Sequence, residues 1–363
     1  VADRVGRKGM VMLNMYLFSV LSLLQLTTTN PWLLLLLRIL IGLMIAIDYT
    51  VGNAWLVEWM PEKVSGRFQS RLIIYWTIGF IGAYIAGITI TGFGATNWQV
   101  ILASSAVPGL ITAIYRSLYR LPASPSWMAT HVNNDEAQQL IQENLGRKWG
   151  LSKKLLASKA PAKISWKILF TKEYRRQTLV GGLFYACQAF AFFGISIFLP
   201  LLLSEMKLGN GHLSGIIYNL CVLVGVLAGS CAFKLLSRRA MLLTCFFLPT
   251  FSLAAMILGT QLAAGLRLAI FAFFATTLSA GLVLDYPYPT ELFDLKVRAT
   301  GVGACITISR IGAASGTFLL PILTNLGGAR LAMIVCAVVL TIGGFICLLW
   351  APETSPRYQK SAN

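Results

Sequence analysis

Charge is what this sequence has least of. Only 12% of its 363 residues are Asp, Glu, Lys or Arg, against about 25% in a soluble domain. Acidic residues are scarcest, 13 in all, and only two histidines occur, His131 and His212. The histidine shortage argues against most His-based metal sites. The seven cysteines all lie in apolar stretches with no C-x-x-C among them, which argues against a disulfide framework or a zinc site. P-loop, H-E-x-x-H and G-x-S-x-G motifs are absent, and no credible Ser-His-Asp set is present, so an enzyme is the least favoured reading. No nucleotide, metal or other cofactor is called for. The net charge of +17 raises the question of nucleic acid, but the basic residues are spread over short segments between apolar stretches, and nucleic acid is not expected as a partner.

Apolar residues fill the space that charge leaves: 56% of the chain is hydrophobic and the mean hydropathy is +0.71. A helix crossing ~30 Å of hydrocarbon takes about 20 apolar residues. Ten runs of that kind occur, near 10–28, 32–57, 70–91, 99–119, 177–203, 213–233, 240–260, 267–289, 299–324 and 329–350. They are too long for barrel strands, and backbone groups in lipid must be satisfied within helices or closed barrels. An all-α membrane bundle with ten transmembrane helices is predicted.

The loops between the runs are charged on one side only. Twenty-five of the 30 basic residues fall in alternate loops and the tail, twelve of them in the long segment 116–176. The opposite loops hold only Lys207, Arg267 and Arg330. Lys and Arg concentrate on the cytoplasmic side, so both ends of the chain are expected there. The long loop divides the chain into an N-terminal half (1–119, four helices), a cytoplasmic central loop (120–176) and a C-terminal half (177–363, six helices with a short tail).

The halves echo one another. Asp48-Tyr49 precedes Glu58 and Arg67; Asp285-Tyr286 precedes Glu291 and Arg298, at an offset of 237 residues for the aspartates and 233 for the glutamates. Gly6-Arg7-Lys8-Gly9-Met10 corresponds to Ser237-Arg238-Arg239-Ala240-Met241 at offset 231. A parallel repeat of this kind marks duplicated transporter halves. The chain starts without Met inside a charged loop, and the four-plus-six arrangement suggests that two helices of the first half are not in it.

Several motifs resemble the major facilitator superfamily. Val1-Ala2-Asp3-Arg4-Val5-Gly6-Arg7-Lys8-Gly9 is similar to its D-R-x-G-R-[RK] loop between the second and third helices. Arg38 and Gly42 fit R-x-x-x-G on the fourth helix, and Glu58 with Gly66-Arg67 fits the charges that follow it. Pro289-Thr290-Glu291-Leu292-Phe293, with Arg298 and Gly301, resembles the P-x-E-x-[FY]…R…G stretch after the tenth helix; Pro352-Glu353-Thr354 resembles the P-E-T after the last. Together these point to the sugar-porter-like and metabolite:proton symporter branch, a twelve-helix fold. Asp48-Tyr49 resembles the D-Y-P of phosphate and organic-acid porters, with Thr50 in place of proline. Two elements depart from sugar porters: Ala123-Ser124-Pro125-Ser126-Trp127 stands where E-S-P-R-W is usual, and Gln188 stands without a second glutamine.

The intramembrane charges are the candidates for mechanism, because each costs a few kcal/mol or more. Asp48 lies roughly 15 Å in from Glu58 and Arg310 roughly 18 Å in from Arg298, at ~1.5 Å per helical residue. Both are expected near the midplane, facing a central cavity or each other, with Asp48 exchanging a proton; a permanent ion pair between helices is the plain alternative. Asp285, roughly 9 Å from Glu291, is either a cavity acid or part of a gate. Tyr49, Tyr286 and Gln188 complete the substrate and proton set. Asp3, Arg4, Arg7, Lys8, Glu58, Arg67, Glu291 and Arg298 are expected to form a cytoplasmic charge gate. The function expected is secondary transport of a small organic metabolite, sugar-like or an organic acid, by alternating access with protons as coupling ion. An anion porter, phosphate included, or a non-transporting membrane relative are the alternatives. The remaining partners expected are the small-molecule substrate and the lipid bilayer, with the chain a monomer.

Overall fold

In the computed structural model the described residues are 7–60, 62–119, 121–131, 133–150, 166–197, 199, 211–259, 261–294 and 297–355. Among them the regular structure is helical. Nine helices are long and apolar enough to cross a membrane, and one of these, Thr300–Trp350, is 51 residues long. At ~1.5 Å per residue it is twice too long for one crossing. Its helical geometry breaks at Gly327 (φ −147°) and Gly328 (φ +66°), the second in the left-handed region that glycine adopts without steric cost. The break makes two crossings of it, so the described residues supply the ten spans that the hydropathy predicted.

The elements are α1 Arg7–Leu24, α2 Pro31–Ile47, α3 Asn53–Glu58, α4 Glu62–Thr89, α5 Asn97–Ala103, α6 Ala106–Leu118, α7 Pro125–His131, α8 Asn134–Leu145, α9 Arg175–Ile197, α10 Gly211–Leu235, α11 Arg238–Leu258, α12 Ala264–Gly281, α13 Pro287–Leu292 and α14 Arg298–Trp350, whose limbs are 298–326 and 329–350. Local chemistry sets many of the ends. Asn30 caps α2, accepting from Trp32 N at 2.9 Å, with Pro31 at the first helical position; a side-chain acceptor there satisfies an orphan N–H, and proline has none to lose. Ser237 caps α11 through Ala240 N at 3.1 Å, and Asn133 caps α8 through Asp135 N. Between α2 and α3 the helix widens into one π-helical turn, Asp48–Gly52. Such turns often mark functional positions.

The chain divides into two compact units, Val1–Ser65 with Gly82–Ala162, and Gly66–Ile81 with Lys163–Asn363. The first half of α4 therefore groups with the C-terminal helices. Its Trp76 stacks on Phe80 (centroids 5.3 Å) and meets Phe192 and Phe193 of α9 at 5.9 and 6.2 Å. In the first unit α1 packs on α2 and α6; Tyr16 and Ser117 share a hydrogen bond of 2.9 Å, and Gln99 Nε2 donates to the Thr28 carbonyl at 2.7 Å. In the second unit α9 lies along α14. That approach is close because glycines line it: a Cβ at Gly312 would meet the Ala186 backbone, and one at Gly316 the Phe190 backbone. Small-xxx-small faces are how membrane helices pack without a hydrophobic drive between them. Large apolar side chains face outward on many helices, Leu258 at 81% and Trp32 at 78% exposure. Contiguous apolar surface of that extent is incompatible with water and suited to lipid.

Candidate functional site

The second unit carries a buried polar cluster where a membrane helix is broken. α12 stops at Gly281, a 3₁₀ turn spans Leu282–Leu284, Asp285 and Tyr286 lie in the turn, and α13 restarts at Pro287. Pro287 and Pro289 have no N–H, so the Val283 and Asp285 carbonyls lose their i+4 donors; the expected break at these prolines is present. Gln188 of α9 repairs the interruption. We assign its amide so that Nε2 donates to Asp285 Oδ1 at 3.1 Å and Oε1 accepts from Leu282 N at 2.8 Å. Gly281 leaves room for it, since a Cβ there would press on the Gln188 amide and on Cys245. Asp285 is 5% exposed, and the charge that compensates it is that of Arg310 on the first limb of α14. Tyr286 is buried beside it. The structure thus gathers Gln188, Asp285 and Arg310 in one unit.

Asp48 has a different partner from the one its depth suggested. Arg116 Nη1 donates to Asp48 Oδ1 at 2.7 Å and to the Val11 carbonyl at 2.9 Å, and Asn14 Nδ2 reaches the same carboxylate at 3.4 Å. The expected Asp48–Arg310 pairing is replaced by Asp48–Arg116 and Asp285–Arg310. Arg116 is in the last turn of α6, not in the loop to which its charge assigned it, and Val11 is in the second turn of α1. Asp48 is thus held by α1 and α6 of its own unit. A helical rise measured along one chain says nothing of how far an arginine reaches down from a neighbour's end. Tyr49, on the π turn, is half-buried.

The charged helix ends form two clusters. In the first unit the Ser124 hydroxyl donates to Glu58 and also caps α7, accepting from Trp127 N; Trp55 Nε1 donates to the Pro122 carbonyl at 3.2 Å. In the second unit Arg238 Nε donates to Glu291 Oε2 at 3.2 Å, and its guanidinium lies 3.4 Å from the Phe233 ring centroid. Thr354 Oγ1 donates to the same Glu291 carboxylate at 2.6 Å. Glu353 accepts from Arg238 N and Arg239 N at 2.9 and 3.0 Å, closing the α11 N-terminus. Burial opposes the Glu353 charge, but the N–H groups of Arg239, Ser355 and Arg238 and the Ser237 hydroxyl outweigh it and hold its pKa below the usual carboxylate value. Arg298, expected to be a gate charge, donates from Nε to the Phe293 carbonyl at 3.2 Å; Glu291 takes Arg238 instead. Lys8 is half-buried. Asp3, Arg4 and the side chains of Arg7 and Arg67 lie outside the described residues. Sequence reasoning missed Arg116, Arg238 and Ser124 as partners of the acids. The repeat carried a signal for one of them, since Arg238 aligns with Arg7 at offset 231.

Among the described residues, ten apolar spans, the buried carboxylate of Asp285 and ion pairs between helices are the make-up of a polytopic membrane protein. The chain belongs to the sugar (and other) transporter family, which it matches over residues 1–363. It is a multi-pass membrane transporter by family, not an enzyme. It is 31% identical to the inner membrane metabolite transport protein YgcS of Escherichia coli, covering 98% of this chain and 78% of that one. It is 25% identical to the galactose-proton symporter of the same organism, over 97% of this chain and 78% of that protein. Its fold matches a partially occluded, inward-open structure of the xylose transporter XylE from E. coli with a TM-score of 0.76 at 16% identity, covering 97% of this chain and 82% of that one.

Proposed function

We propose that this protein is a proton-coupled secondary transporter of a small organic metabolite in a bacterial inner membrane, working by alternating access as a monomer with both ends of this chain cytoplasmic. The observation that carries the reading is Asp285: a carboxylate buried in a membrane bundle, held by Gln188 across a broken helix and compensated by Arg310. An intramembrane acid marks a proton or substrate pathway by default, and broken helices near the midplane are where secondary transporters bind. Asp285 carries the proton, and Gln188, Tyr286 and Arg310 shape the site around it. Asp48 and Tyr49 are the repeat-related pair in the other half; with Arg116 in place, Asp48 tethers its helix to α6. Glu58, Glu291 and Arg298, with Arg238, are charges of the cytoplasmic gate, to which Asp3, Arg4, Arg7, Lys8 and Arg67 contribute. Its pairs must be weak enough to break in each cycle, and partly exposed ion pairs are worth about 0–1 kcal/mol each. The positive-inside distribution supports the orientation, and the relatives' metabolite and proton-symport names support the substrate and ion.

The test is transport by protein reconstituted in vesicles with labelled xylose, galactose and 4-hydroxybenzoate as probes. One of the three is accumulated when the outside is acidic. Asp285→Asn keeps counterflow exchange of that compound and loses accumulation. Accumulation by Asp285→Asn equal to the parent's removes the proton role from this residue.

A further inference from the structure

The segment that leads into α9 carries aromatic rings and cations that the transport reading does not use. Residues 166–176 hold four Lys or Arg, Lys167, Lys172, Arg175 and Arg176, against one acid, Glu173. The segment is tied down along its inner side. Trp166–Phe170 is a 3₁₀ helix, and Arg175 N donates to the Thr171 carbonyl at 2.9 Å, which joins the following turn to α9. Leu169 and Tyr174 are buried. Thr178 Oγ1, in the first turn of α9, stands 3.1 Å from the Leu169 carbonyl and 2.9 Å from that of Tyr174. Tyr174 Oη donates to Asp294 Oδ2 at 3.4 Å. With the inner side fixed in this way, Trp166 and Phe170 are turned outward, each 63% exposed and edge-to-face at 5.9 Å.

Two spans end at this level. The apolar stretch of α9 begins at Arg175, and Arg176 Nε donates at 3.1 Å to the carbonyl of Trp350, the last residue of α14. Rings held outward here stand where headgroups meet hydrocarbon, a band in which Trp is enriched because its ring is apolar and its N–H is not. Two cations follow them in the chain. Lys172 and Arg175 are exposed, and among the described residues neither makes an ion pair or a side-chain hydrogen bond. Glu173, between them in sequence, is engaged with the Tyr174 hydroxyl. A charge bias between loops accounts for the cations but not for two rings held outward beside them. An ammonium and a guanidinium fork suit a phosphate oxygen, and a basic cluster next to a span attracts anionic lipid. We propose that residues 166–176 form a binding site for one anionic phospholipid, its phosphate on Lys172 and Arg175 and the upper part of its acyl chains against Trp166 and Phe170. The lipid anchors the end of α9, the helix that bears Gln188, and the site is independent of the substrate and of the coupling ion.

Native mass spectrometry of the purified full chain, titrated in detergent with phosphatidylglycerol and with phosphatidylcholine of the same acyl chains, tests this. The anionic lipid binds at least about threefold more tightly. Lys172→Gln with Arg175→Gln removes that preference, and Lys172→Arg with Arg175→Lys keeps it. Arg147→Gln with Lys148→Gln, an exposed basic pair beside the exposed Trp149, removes the same charge elsewhere and leaves the preference unchanged. All four residues are exposed, so each variant unfolds at the parent's temperature. In vesicles, acyl-brominated lipid quenches the part of the tryptophan emission that is lost in Trp166→Phe. Equal affinity of the parent for the two lipids overturns the proposal, and so does a preference that survives Lys172→Gln with Arg175→Gln. An equal loss in the Arg147 and Lys148 variant means that binding follows net charge and overturns the site. Trp166 emission untouched by the brominated lipid places the ring in water and overturns it as well.

Discussion

Asp48 and Asp285 occupy repeat-related positions but have been given different companions. Asp48 has Arg116 at 2.7 Å, the two side chains 32% and 18% exposed. Asp285 is buried, with an amide at 3.1 Å and its cation on the exposed face of another helix. A short, direct pair is a clasp; a buried carboxylate held by a neutral amide is the group we propose takes the proton. The clasp makes a prediction. Arg116→Gln leaves a part-buried carboxylate without its cation and lowers stability by about 1–3 kcal/mol. Asp48→Asn with Arg116→Gln recovers most of the loss, because the unpaired charge is gone. Thermal unfolding of the two variants in detergent checks this; a double variant no more stable than the single one means that the carboxylate was not the source of the cost. The sequence alone placed both aspartates in apolar runs and paired them by the repeat. It did not place their partners, 68 residues from Asp48 and 25 from Asp285, because which residues face each other across helices is decided by packing rather than by hydropathy.

Among the helices, α9 and α14 show most directly what a glycine contributes. A Cβ at Gly316 would meet the Phe190 backbone, whereas one at Gly303, on the same limb, meets nothing within 4 Å. Gly316→Ala therefore costs about 1–3 kcal/mol through overpacking. Gly303→Ala is neutral or gains about 0.5–1 kcal/mol by reducing backbone freedom in the unfolded chain. Equal unfolding temperatures for the two variants would contradict the close approach. The α11 N-terminus yields a second prediction. The folded pKa of Glu353 lies below its ordinary value of about 4.3, so its stabilisation is fully present above that pH and is lost as pH falls through the lower folded pKa. Glu353→Gln is thus less stable than the parent at pH 7, and the difference closes below about pH 4; a gap independent of pH would show that its charge is not what closes the helix. At this scale the sequence was most legible. All ten spans stand within a few residues of their apolar runs, and Gly327-Gly328 separates the last two in both descriptions. The break at Asp285 was legible through Pro287 and Pro289, but the π turn at Asp48–Gly52 has no proline or glycine pair to announce it.

For the whole molecule, family membership makes it a transporter, and the proposal of proton coupling rests on the buried acid. Its two charged clusters at helix ends are built alike: each acid, Glu58 or Glu291, takes a hydroxyl from a segment beyond its own helix, Ser124 or Thr354. In the second, Arg238 adds the cation. Glu291→Gln frees Arg238 and shifts the protein toward the inward-open state, read as an increased labelling rate of a cysteine placed on the cytoplasmic side of α9; an unchanged rate removes Glu291 from the gate. The measurement that bears most directly on the central claim is the internal pH of vesicles holding the reconstituted protein and an entrapped pH dye. Adding a transported metabolite outside, with no pH gradient imposed, acidifies the interior in the parent and not in Asp285→Asn. Metabolite entry with no change of internal pH in the parent would contradict the account.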